Sequence, residues 1–181
     1  ISFNSIGTGT EYVVVNNIDD YQIFQRDGSN QADIPISGSY GGTPTAIEAS
    51  FNGGAYVTID ASPSGGTYSG TLSAQAAGQG TLIVRFTNDT DVSYDVDNVG
   101  VGDIFIIAGE SNASGRGWTL NNYSHASLKG VLVGNDDMWK ELADAVDSRA
   151  GQIDPVSSDA AAAGSPWPLA QIARQWSESL W

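Results

Sequence analysis

The sequence predicts a two-domain chain: an antiparallel β-sandwich over residues 1–99, then the start of an α/β unit over residues 100–181. Three observations carry that reading. Apolar and polar residues alternate at period two through the first half, the spacing of strands with one face buried. Turn residues recur between those runs at Asn52-Gly53-Gly54, Pro63-Ser64-Gly65-Gly66 and Gly78-Gln79-Gly80, at intervals typical of sandwiches. After Asn98-Val99-Gly100-Val101-Gly102 the texture changes to strand, loop, strand, long loop and helix, the opening of an α/β pattern.

In the first half the strand candidates are Glu11–Val15, Tyr21–Arg26, Ala32–Gly38, Ala46–Phe51, Tyr56–Ile59, Gly66–Leu72, Thr81–Thr87 and Asp91–Val99. They make a sandwich of about seven strands, similar to immunoglobulin or fibronectin type III modules. Pro35 cannot donate to a ladder, so its strand is expected at an edge or beside a bulge. Tyr21, Phe24, Phe51, Tyr56, Tyr68, Phe86 and Tyr94 are either a sugar-stacking platform or, at one per strand, the core; the core is favoured. Nothing in this half looks catalytic. It reads as a spacer, a packing partner or a weak carbohydrate binder.

The chain carries 21 acidic and 7 basic residues, a formal net charge of -14. A phosphate backbone would be repelled, which argues against nucleic acid as a partner. Arg26, Arg85, Arg116, Lys129, Lys140, Arg149 and Arg174 are scattered singly, so no basic patch exists for anionic lipid. Asp89, Asp91, Asp95 and Asp97 raise a calcium alternative. They fall at alternate strand positions without a glycine-centred loop, and a solvated surface is the favoured reading. The chain has no cysteine, hence no disulfide framework and no thiol chemistry. No apolar run reaches the length of about 18 residues that a spanning helix needs. The start, ISFNSIGTGT, reads as a mature or cut-out amino terminus. Low lysine with abundant Gly, Ser and Thr suits an extracellular protein, secreted or virion-associated.

The second half is organised around Val101 to Gly117. The apolar run Ile104-Phe105-Ile106-Ile107-Ala108 stops at Gly109, and Ser111 follows in a string of small and polar residues ending at Gly115-Arg116-Gly117. This predicts a buried strand that hands a serine to a loop. Glycine permits the turn, and the first backbone N–H groups beyond it are free to hold an oxyanion. Leu128–Val133 is a second short strand candidate, and Asp136–Ala143 is either a helical turn, capped by Asp136 or Asp137, or an extended segment. Ala160–Ala163 favour helix locally. Ser165 as N-cap, Pro166 at the first helical position and the stripe Leu169, Ile172, Ala173, Trp176, Leu180 predict a closing helix.

Gly109-Glu110-Ser111-Asn112-Ala113, preceded by Val101-Gly102-Asp103-Ile104-Phe105 and followed by Gly115-Arg116-Gly117, resembles the first block of the SGNH-type sialate O-acetylesterase family, usually written GQSN. Gly164–Leu169, at a helix start, is similar to the segment those esterases place after their first long loop. The resemblance covers about Val101 to Trp181. It implies the start of a flavodoxin-like α/β SGNH hydrolase domain, with Ser111 as nucleophile and its own backbone N–H as an oxyanion donor. It also implies hydrolysis of an O-acetyl ester on a polysaccharide or other glycan, without a metal or organic cofactor.

The family's remaining parts, a glycine block, an asparagine block and an Asp-x-x-His, have no counterpart before Trp181, so a fragment of a longer protein is expected. Asn122-Tyr123-Ser124-His125 has the spacing of Asp-x-x-His, but Asn122 stands where the acid belongs and His125 follows Ser111 closely; it reads as a loop histidine. Glu110 replaces the usual glutamine. It either opposes oxyanion formation or bonds the backbone behind the loop, the latter being favoured. Arg116 either makes a surface ion pair, with Glu110 for example, or contacts substrate. A different class of function stays open beside the esterase: a structural or glycan-binding component of a phage tail or cell surface with an inactive, scaffold-like esterase domain.

Overall fold

The computed structural model describes residues 11–106, 129–134 and 137–142. The chain forms two compact units, Ile1–Gly102 and Asp103–Trp181. In the first, eight strands replace the seven or so expected: β1 (Tyr12–Val15), β2 (Ile23–Gln25), β3 (Gln31–Gly41), β4 (Ile47–Phe51), β5 (Val57–Asp60), β6 (Thr67–Ala76), β7 (Gly78–Phe86) and β8 (Ser93–Gly102). They lie in a three-stranded sheet ordered β1-β3-β6 and a five-stranded sheet ordered β2-β8-β7-β4-β5. Every pairing is antiparallel except β2 with β8. β5 stays beside β4 instead of crossing to β6, which separates this order from the constant-type immunoglobulin arrangement.

Alternation along each strand decides which residues meet between the sheets. Ile34, Ile36 and Tyr40 of β3 face Leu82, Val84 and Phe86 of β7, all buried in one hydrophobic cluster with Val13, Val15, Ile47, Phe51 and Leu72. The Tyr40 and Phe86 rings join the two sheets edge to face, centroids 6.2 Å apart at 84°. With no cysteine present, packing of this kind holds the sheets together without the inter-sheet disulfide of antibody domains.

Two bulges re-phase the alternation. Between the pairs Leu82↔Val96 and Gly80↔Val99 the register shifts, because β8 carries an extra residue around Asn98, whose φ is 57°. Val96, Val99 and Val101 can therefore all be buried, although their numbering breaks the period of two. A second shift lies between Ala32 and Ile34 of β3, opposite Ala74 with φ 52°; the Ala74 N–H donates to Asp33 Oδ1 at 2.8 Å.

Pro35 sits in the middle strand of its sheet, paired with Thr71 of β6. Its other side is nonetheless a local edge, because β1 pairs only as far as Gly38. There the Asn17 side chain takes over from the missing strand. Its Nδ2 donates to the Pro35 carbonyl at 3.0 Å and its Oδ1 accepts from the Ser37 N–H at 2.8 Å. The lost N–H of proline costs no ladder bond at such a position.

In the second unit β9 (Val131–Val133) pairs antiparallel with β10 (Trp139–Glu141). The turn is closed by the Gly134 N–H on the Met138 carbonyl at 2.9 Å, and Asp137 adopts φ 57°. Lys129 Nζ lies 2.8 Å from Glu141 Oε1 at the open end. The segment around Trp139 is thus extended, and the short strand expected at Leu128–Val133 is one arm of a hairpin. No helix occurs among the described residues, which are all β or irregular. The expected closing helix, Ser165–Leu180, lies outside them.

Candidate functional site

The last strand of the sandwich ends at Gly102, seven positions before Gly109 in the sequence. Val101 and Gly102 belong to β8, where Gly102 pairs with Gln25 of β2 and Val101 with Gly78 of β7. The Arg26 N–H donates to the Gly102 carbonyl at 2.9 Å. Beyond this point neither neighbour continues: the chain of β2 turns away at Asp27, and β7 only begins at Gly78. β8 itself ends at Gly102. The buried strand expected from Ile104 onward is accordingly not found over its described part. Ile104, Phe105 and Ile106 lie outside any strand and are 44%, 46% and 92% exposed. Gly109, Glu110, Ser111, Asn112, Arg116, Asn122 and His125 lie outside the described residues.

A second arrangement of chemically capable groups stands on the outer face of the five-stranded sheet. Arg85 alternates outward between buried Val84 and Phe86 and is directly opposite Glu48 of β4 and Ser93 of β8. Its Nε donates to Glu48 Oε1 at 2.8 Å, with the two side chains 26% and 17% exposed. The guanidinium carbon is 3.4 Å from the centroid of the Tyr56 ring. One arginine is thus held by a carboxylate and stacked on an aromatic face at the same time. Sequence reading missed this group; the clue was an outward arginine one strand from an outward glutamate.

Along the same face Ile83 is opposite Asp95. Partial burial first, and the charge of Asp97 second, push the Asp95 carboxyl above its ordinary pKa. Asp97 accepts from the Thr81 hydroxyl at 3.2 Å, and its N–H donates to Asp20 Oδ1 at 2.8 Å. Asp89 closes a turn by accepting from the Asp91 N–H at 3.2 Å. Among the described residues no three acidic or histidine side chains converge as a metal site, so the calcium alternative has no cluster to stand on there. Nor is any helix among them long and apolar enough to cross a membrane.

The aromatic residues divide. Phe51, Tyr68 and Phe86 are core, and Phe24 and Tyr94 pack against it, as the favoured reading expects. Tyr56 does not join that cluster; its ring carries Arg85 instead. Burial, with a smaller contribution from Tyr94, pushes the Tyr68 phenol far above the usual tyrosine range.

No family model matches the chain, and no curated protein matches it. Among solved structures it is similar to a carbohydrate acetylesterase from Xanthomonas citri, with 26% sequence identity and a TM-score of 0.37. That match covers 49% of this chain and 19% of the esterase. It is also similar to the fibronectin(III)-like modules of CbhA from Clostridium thermocellum, with 15% identity and a TM-score of 0.35, covering 52% of this chain and 99% of the module structure.

Proposed function

We propose that this chain is the amino-terminal part of an extracellular SGNH-type serine esterase that removes O-acetyl groups from carbohydrate, its sandwich preceding the hydrolase domain. The observation that supports the reading is the sequence block Gly109-Glu110-Ser111-Asn112 placed after a β-sandwich. Val101-Gly102 is the pinned end of β8, and Gly109-Glu110-Ser111-Asn112 follows it within one short segment.

In this reading Ser111 Oγ attacks the acetyl carbonyl carbon while its proton passes to a histidine supplied from beyond Trp181. The Ser111 N–H, among other donors, stabilises the oxyanion. The bond from the acyl carbon to the sugar oxygen then breaks as the histidine returns the proton to that oxygen. Water repeats the sequence to release acetate and restore the serine. In the longer protein, Ser111→Ala abolishes release of acetate from acetylated polysaccharide and from p-nitrophenyl acetate. Equal rates for the two proteins would remove Ser111 as nucleophile, and with it the esterase reading.

A further inference from the structure

We propose that the outer face of the five-stranded sheet, centred on Arg85 stacked over Tyr56, is a binding surface for a neutral, hydroxyl-rich polysaccharide. Nε of Arg85 is committed to Glu48 and its plane to Tyr56, which fixes the guanidinium without using its two Nη edges. A side chain ordered before a ligand arrives loses little entropy on binding. Ser93 beside it, and Asp95 one position further along β8 on the same face, add a hydroxyl and a carboxylate acceptor. Donors on a fixed plane, with acceptors a strand away, match a pyranose, whose hydroxyls both donate and accept around an apolar ring face.

Charge selects the occupant. Residues 1–102 hold 11 acidic residues against two basic ones, Arg26 and Arg85. A uronate, sialate or phosphate polymer would meet that field as a like charge, and Arg85 is already paired with Glu48. The face also lacks the apolar centre of a protein interface. On it Ile83 is half-buried and Ile23, beside Gly100, is buried. Asp95, already partly desolvated, is the kind of carboxylate that a hydroxyl donor stabilises.

The surface would hold the enzyme of the preceding section on its polymer, and to that extent the proposal rests on that reading; binding and catalysis are nonetheless read separately. The full chain is run in affinity gels containing xylan, glucomannan or polygalacturonate. Retardation is expected in at least one neutral polymer and not in polygalacturonate. Tyr56→Ala, which releases the guanidinium, and Arg85→Met, which removes its Nη donors, each weaken it about tenfold, while Ser111→Ala leaves it unchanged. Amide shifts of Ile83, Ser93 and Asp95 on titrating the unmutated chain with xylo- or manno-oligosaccharide provide a readout that needs no variant. Absence of retardation in both neutral polymers overturns the proposal. So does retardation by polygalacturonate alone, retardation insensitive to folded Tyr56 and Arg85 variants, or shifts confined to other residues. Failure of Ser111→Ala to lose esterase activity would overturn only the catalytic reading.

Discussion

The hydroxyl of Tyr68 donates to the backbone carbonyl of Val14 at 3.0 Å, spanning β3 at Gly38. A Cβ on Gly38 would lie 1.8 Å from that carbonyl oxygen and 2.6 Å from the Tyr68 ring. The glycine is therefore the gap through which a β6 tyrosine reaches a β1 carbonyl. Gly38→Ala is expected to cost more than about 3 kcal/mol, since backbone must move to admit the methyl. Tyr68→Phe keeps the packing and loses about 1–2 kcal/mol with the bond. Urea unfolding of the two variants should rank them in that order.

The same tyrosine gives an alkaline signature. Its folded-state pKa lies above the ordinary value of about 10, so the folded protein holds the phenolic proton more tightly than the unfolded chain. That contribution is complete below the unfolded pKa and falls away as pH rises from there toward the folded value. Melting curves taken upward from pH 9 should show wild type losing stability faster than Tyr68→Phe.

Asp95 works in the same sense at acid pH. Its carboxyl pKa is raised, so stability declines as pH rises from the ordinary aspartate value through the folded one. Above that window the charged form is a liability. Asp95→Asn should melt higher than wild type at pH 7, and the difference should vanish at about pH 3, below the unfolded pKa. An equal difference at both pH values would contradict this.

Ala74, at φ 52°, occupies backbone space that costs an L-residue roughly 1–2 kcal/mol. Ala74→Gly removes that strain and gives back part of it as unfolded-state entropy, for a net gain of about 0.5–1 kcal/mol. Asp33→Ala, which deletes the acceptor of the Ala74 N–H, should lose about 1 kcal/mol. Thermal unfolding checks both signs.

The sandwich should also report its own boundary. A chain ended at Gly102 keeps the pairs Gly100↔Gln79 and Gly102↔Gln25 and the fully buried Val101. One ended at Val99 loses them, with about 1.5–3 kcal/mol from the valine alone. Circular dichroism melts should place the shorter chain clearly below the longer.

How far the fold was legible depends on how local its causes are. Leu82, Val84 and Phe86 announce β7 because burial on one face writes period two into consecutive residues. The bulges at Asn98 and Ala74 break that period, so Val99 and Val101 read as a change of texture, although they are still in the sandwich. Apolarity alone predicts a buried strand for Ile104–Ile106, whereas these residues lie outside any strand and are exposed. The Arg85–Tyr56 stack depends on the register across β4, which no local pattern contains. For the proposed nucleophile block the balance reverses: Gly109 to Asn112 is legible as a motif in the sequence and lies outside the described residues.

β2 and β8 run parallel, joined through Tyr21 N–H to Asp97 carbonyl, Gly100 N–H to Gln22 carbonyl and Arg26 N–H to Gly102 carbonyl, each 2.9 Å. Tension drawn in from the amino-terminal side of β2 and out through Gly102 pulls these strands past each other lengthwise. All three bonds then share the force in shear, instead of opening one at a time like a zip. The end of β8 is thereby a mechanical clamp, one that resists force drawn along the chain through the sandwich.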